Sequence, residues 1–154
     1  MVRSETVWTY EQKCRLAIER QLVARYFPQF AMSWWDTDAY FEGWQNPSDS
    51  GGWYLLRLVL PSHYPHQKPR LYVISPNPLL KRCGCCRIND EECSHSFHTW
   101  EKGPDGCVQI CHTYNWDASQ NCITVLLKGV LWIQSYLNYW RTGEPIAAFL
   151  REEG

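Results

Sequence analysis

Proline placement divides this chain before any other property does. Pro28 stops whatever helix precedes it, Pro65 and Pro69 exclude helix or central strand from residues 64–69, Pro76 and Pro78 close the stretch that follows, and Pro145 comes just after Gly143. Each proline lacks an amide donor and pushes its predecessor out of the helical region. The windows left with helical periodicity lie at the two ends of the chain.

The first window, residues 9–27, carries Cys14, Ile18, Leu22 and Tyr26 at a spacing of four, which predicts an amphipathic helix buried along that stripe. The second, residues 120–141, has a wider apolar face of Ile123, Leu126, Leu127, Val130, Leu131, Ile133, Leu137 and Trp140. Ser119 suits its N-cap and Gly143 its end. Residues 146–150 predict a last short helix. Between these ends the sequence reads as strands. Residues 32–35 and 39–44 are aromatic runs separated by the polar Asp36-Thr37-Asp38, a hairpin signal. Residues 53–60 follow the loop 46–52 as a strongly apolar, central strand, and residues 71–74 add a fourth. From 75 to 106 nothing is periodic, and an irregular stretch of that length inside one domain is where a site is expected. Helix, antiparallel strands, long loop and helix make an α+β arrangement in a single domain over residues 1–154.

A 45% apolar content supports one continuous core. The net charge of −1 supplies no field to hold a polyanion, so nucleic acid is not expected as a partner. Residues 1–10 carry Arg3 and Glu5 and no apolar leader, and no window has the roughly 18 apolar residues of a membrane span. A cytoplasmic protein is therefore expected, with no membrane partner and no cofactor. In that compartment the eight cysteines read as buried thiols, metal ligands or nucleophiles before disulfides.

Two cysteine groups stand out. Cys83-Gly84-Cys85-Cys86, with Cys93, His95 and His98 downstream, could bind zinc, yet it lacks two clean Cys-x-x-Cys pairs; redox-sensitive or inert loop thiols are the other readings. Cys14 and Cys122 fall inside the expected helices. The second group is Gly106-Cys107-Val108-Gln109-Ile110-Cys111-His112. A thiol there, at the end of the irregular stretch, reads locally as a small buried hydrophobe or as a nucleophile.

Tyr64-Pro65-His66-Gln67-Lys68-Pro69 after the third strand, and Gly-x-x-x-Ile-Cys ahead of Trp116 and a long helix, resemble the ubiquitin-conjugating enzyme (UBC-like) fold over nearly the whole chain. The resemblance implies an N-terminal helix, a four-stranded antiparallel meander, a long active-site loop and a long C-terminal helix. It also implies a thioester transferase with Cys111 as nucleophile and His98 and Thr99 as candidate catalytic groups. His98-Thr99-Trp100 stands where eukaryotic members have His-Pro-Asn. A register counted strictly from Gly106 puts Gln109 at the nucleophile's position; the Ile110-Cys111 pair favours Cys111.

His95-Ser96-Phe97-His98-Thr99, Val108-Gln109-Ile110-Cys111-His112 and residues 137–146 narrow the likeness to the stand-alone conjugating-enzyme-like proteins of short type II CBASS antiphage operons. From that follow the expected partners: the C-terminal tail of a cGAS-like nucleotidyltransferase, or a ubiquitin-like protein, as acyl donor, and a target protein as acceptor. The alternatives are a catalytically inactive UBC-fold binding module and a zinc-stabilised interaction domain. The aromatic hairpin of Trp34, Trp35, Tyr40, Phe41 and Trp44 reads partly as core and partly as a docking face.

Overall fold

Thr9 starts the first helix by a reciprocal capping box: its hydroxyl accepts from the Gln12 amide at 3.1 Å, and the Gln12 side chain accepts from the Thr9 amide at 2.9 Å. The computed structural model describes residues 7–47, 52–90, 94 and 96–150, and α1 spans Tyr10–Tyr26 before Pro28. Its buried face differs from the expected stripe. Leu16, Glu19 and Val23 point inward, whereas Cys14, Ile18 and Tyr26 are exposed. The reason is Glu19, which is fully buried because other elements satisfy it. Its carboxylate accepts from Arg15 Nε at 2.9 Å, from the Tyr64 hydroxyl and, at 3.0 Å, from the backbone amide of Cys122. Arg15 continues across to the Ala118 carbonyl at 2.8 Å and to the Gln120 carbonyl.

Among the described residues five strands form one antiparallel sheet in sequential order: β1 Ala31–Trp35, β2 Asp38–Gln45, β3 Tyr54–Leu60, β4 Arg70–Ser75 and β5 Val108–Ile110. The expected meander had four; the added strand is β5, three residues paired to β4 through Leu71 with Ile110 and Val73 with Val108. The predicted hairpin is present, with Asp36 at the tip at φ 55°, a conformation Asp tolerates better than most residues. β3 is central, as expected, and alternates strictly. Tyr54, Leu56, Leu58 and Leu60 are buried, while on the other face Arg57 meets Glu42 of β2 at 2.7 Å and lies over the Tyr40 ring. The aromatic hairpin is divided by the same alternation: Phe41 is core, Trp34 packs edge-on to Trp8, and Trp35 and Trp44 face outward.

α2 spans Cys122–Thr142 and lies against the buried face of the sheet, with Gly129 against Leu71 and Leu56. Asn121, not Ser119, caps it, its side chain accepting from the Thr124 amide at 3.0 Å; Ser119 instead donates its amide to Asp117 in the turn before. Gly143 ends the helix at φ 84°, the left-handed cap expected of it, and α3 follows at Ala147–Leu150. Of the predicted apolar face, Leu126 and Ile133 are core, whereas Leu127, Leu131 and Trp140 are exposed. Trp132 and Tyr136, stacked at 5.6 Å, fill much of the buried side. No helix among the described residues is long and apolar enough to cross a membrane.

The described residues between β4 and β5 hold more regular structure than the sequence suggests. Leu80 and Arg87 bridge in antiparallel fashion, short 3-10 turns occupy Ile88–Asp90 and Pro104–Gly106, and Thr99 bridges to Ile110.

Candidate active site around Cys111

Cys111 directly follows β5, and two elements converge on it. From the loop before β5, His98 holds its backbone from both sides: the Cys111 amide donates to the His98 carbonyl at 2.8 Å, and His98 Nδ1 lies 3.3 Å from the Cys111 carbonyl. His98 does this at φ 55°, an uncommon conformation for a residue with a side chain. Thr99, one residue on, faces the loop instead. Its amide donates to the Ser94 carbonyl at 3.0 Å and its hydroxyl accepts from the Ser94 amide at 3.3 Å, so both groups tie Thr99 to the segment ahead of it.

The groups nearest the thiol include two that the sequence reading did not single out. The Tyr114 phenol hydrogen-bonds to Cys111; partial burial, and then the charge and hydrogen bond of Cys111, hold its proton more tightly than usual. Lys68, on the turn that follows β3, lies within electrostatic reach of Cys111. Burial lowers its pKa and Cys111 opposes that shift. Its ammonium sits 4.3 Å from the centre of the Trp100 ring, and Trp100 meets Tyr114 edge-on at 5.6 Å. Tyr114 stands three residues after Cys111 and was open to local inspection. Lys68 belongs to another segment, and only the fold brings it in.

His112 is buried beside the thiol residue and its Nε2 lies 2.7 Å from the Pro69 carbonyl. A carbonyl can only accept, so that nitrogen carries the hydrogen of a neutral ring. Burial pushes its pKa down to about 4, partly offset by the Pro69 hydrogen bond. Trp116 donates to the Pro65 carbonyl at 2.7 Å and packs between Tyr64 and His112, a structural role.

Access is the feature that departs furthest from the sequence reading, which expected a reachable sulfur. Cys111 is 4% exposed. His98, His112, Lys128, Leu131 and Leu150 line a hollow beside it of only about 10 Å³, room for about one water. Tyr114, by contrast, is 46% exposed. A larger hollow of about 790 Å³, bordered by Thr9, Gln12, Arg15, His63 and His66, does not include Cys111.

The remaining thiols have different surroundings. Burial pushes Cys107 up to about 11 and raises Cys122, which touches Tyr64 and Glu19, well above the usual thiol range. Both therefore stay protonated and act as small apolar residues. Cys14 is exposed on α1. Cys83, Cys85 and Cys86 cluster on the loop, whereas Cys93 and His95 lie outside the described residues, and His98 belongs to the Cys111 site. No family model matches this chain, and neither does any curated protein or solved structure compared with it.

Proposed function

We propose that this protein is a ubiquitin-conjugating-type transferase that carries the C-terminal glycyl group of a protein partner as a thioester on Cys111 and passes it to a target. The sequence resemblance described above suggests a cGAS-like nucleotidyltransferase as donor and bacterial antiviral defence as context. One observation carries the reading: the thiol that follows β5 has the Tyr114 phenol hydrogen-bonded to it and the Lys68 ammonium in electrostatic reach, with His98 fixing its backbone, whereas burial is the largest influence on Cys107 and Cys122. The α+β order of a capped N-terminal helix, an antiparallel sheet and a long C-terminal helix agrees with it.

The chemistry runs from the thiolate. An ordinary thiol with a pKa near 8.5 is only roughly 3% ionised at pH 7. A neighbouring cation favours the charged form, and Lys68 is the cation in reach. The Cys111 sulfur adds to the donor's thioester carbonyl, the donor's former thiolate departs and takes a proton from solvent, and a new thioester remains on Cys111. An acceptor amine then displaces Cys111, forming an amide and returning the thiol. Tyr114 must turn aside for the donor tail to enter, and once displaced its hydroxyl is a donor for the oxyanion that forms at the carbonyl. His98 acts in this scheme chiefly by fixing the backbone of the nucleophile, and Thr99 by bracing against Ser94 the loop that carries His98.

The test is adduct formation with a partner whose terminal glycine is intact. Wild type yields a thiol-sensitive adduct, Cys111→Ala yields none, and Cys111→Ser traps a thiol-resistant ester that identifies the donor by mass spectrometry. A normal adduct from Cys111→Ala removes Cys111 from the mechanism. The burial of Cys111 favours a second reading, a binding module that keeps the fold without the chemistry. Complex formation and biological protection that survive Cys111→Ala unchanged would establish it instead.

A further inference from the structure

The loop after β4 holds a preformed cluster of sulfur atoms that the Cys111 chemistry does not use. Residues 80–87 make a small hairpin, closed by the Leu80–Arg87 bridge and by the Lys81 amide donating to the Cys86 carbonyl at 2.7 Å. Gly84 turns its tip at φ 78°, where a side chain would be strained. The turn brings the sulfurs of Cys83, Cys85 and Cys86 within 4.8 Å of one another, although Cys-x-Cys-Cys spacing alone promised nothing so close. Cys83 and Cys85 are exposed and Cys86 is half-buried.

We propose that Cys83, Cys85 and Cys86 form a binding site for a thiophilic d10 cation, Zn²⁺ or Cu⁺, independent of Cys111. Distances support it first. A metal–sulfur bond of about 2.3 Å requires sulfurs roughly 3.8 Å apart in a tetrahedral site and roughly 4.0 Å apart in a trigonal one. The Cys85 sulfur lies 3.1 Å from that of Cys83 and 3.9 Å from that of Cys86, so small side-chain rotations reach either geometry. The Cys85 thiol and amide both donate to the Cys83 sulfur, the amide at 3.4 Å, so the sulfurs already converge on one another.

The hairpin is held rather than floppy, which reduces the entropy lost on binding. The Tyr136 hydroxyl donates to the Leu80 carbonyl at 2.7 Å, and the Arg82 amide donates to the Tyr139 hydroxyl at 2.8 Å. Arg82 Nε donates to the Trp140 carbonyl at 2.9 Å. All three anchors are on α2. Three thiolates complete a trigonal Cu⁺ site; Zn²⁺ takes a solvent ligand as its fourth. Each sulfur–hydrogen bond replaced by a sulfur–metal bond releases its proton to solvent, no electrons move, and binding weakens as pH falls.

The experiment uses the full chain, reduced, stripped of metal and kept anaerobic, with its free thiols counted. Zn²⁺ is titrated by calorimetry, Co²⁺ is added as a spectroscopic reporter of thiolate ligation, and Cu⁺ is titrated against a colorimetric chelator. The expected result is one equivalent of Zn²⁺ or Cu⁺, at least a tenfold loss of affinity in each of C83S, C85S and C86S, no binding in the triple variant, and full binding in C111S. A fully reduced wild-type chain that takes up neither ion beyond the triple variant overturns the proposal, as does a triple variant that binds like wild type. Because C111S keeps the metal and the serine variants of the hairpin keep Cys111, this result and the fate of the thioester reading are separable.

Discussion

Acidification should destabilise this protein through one buried imidazole. His112 is neutral in the folded state, with Nε2–H given to the Pro69 carbonyl and a pKa pushed down by burial to about 4. In the unfolded chain the same ring titrates near 6.5. Above pH 6.5 both states are neutral and the stability is fully present. Between pH 6.5 and 4 only the unfolded state binds the proton, so stability falls as pH falls through that window, and below 4 nothing further is lost. At about 1.4 kcal/mol per pH unit the full loss is about 3 kcal/mol, and the loss between pH 7 and pH 5 is about 2 kcal/mol. For a chain of this length 2 kcal/mol corresponds to roughly 4–8 °C in Tm. The assay is urea unfolding followed by tryptophan fluorescence at pH 7, 6 and 5, comparing wild type with His112→Gln. The variant keeps a donor for Pro69 but cannot titrate, so contributions from the other histidines cancel in the difference. Curves for the two proteins that run parallel within about 0.5 kcal/mol, or an NMR titration of His112 with a midpoint near 6.5, would refute the reasoning.

Two further outcomes test the packing that supports the site. Glu19→Ala strips the partner from Arg15 and leaves the Tyr64 hydroxyl and the Cys122 amide without their acceptor, and should cost about 3–5 kcal/mol in urea unfolding; a loss below about 1 kcal/mol would show that the cluster relaxes into water. Gly129→Ala gains about 1 kcal/mol of helix propensity, but its Cβ would stand 2.8 Å from Leu71 Cδ2 and 3.2 Å from Leu56 Cδ1, so a net loss in Tm is expected and a raised Tm would contradict it.

The elements were more legible than their faces. Pro28, the polar Asp36-Thr37 step and Gly143 mark α1, the β1–β2 hairpin and the end of α2, because each acts through local backbone chemistry. The buried side of α1 was hidden because Glu19 carries the mark of a surface residue, and the groups that make its burial tolerable come from Arg15, Tyr64 and the start of α2. β5 carries no strand signal in the sequence, since three residues have no periodicity to read. At the site, Cys111 and His98 do meet through the backbone. Thr99 is committed to Ser94, Lys68 arrives from a distant turn, and the depth of the thiol is a property of packing that no local pattern carries.

The long reach of α1 bears on how the molecule is made. Arg15 and Glu19 find their backbone partners at Ala118 and Cys122, in each case 103 residues later. At ordinary translation speeds roughly 5–20 s separate the emergence of the two ends. Throughout that interval the acid and base of α1 lack these backbone partners, although Tyr64, 45 residues after Glu19, is already made. α1 is thus fully fastened only once α2 has begun, and a chain cut short before α2 forfeits part of the anchorage of α1 as well.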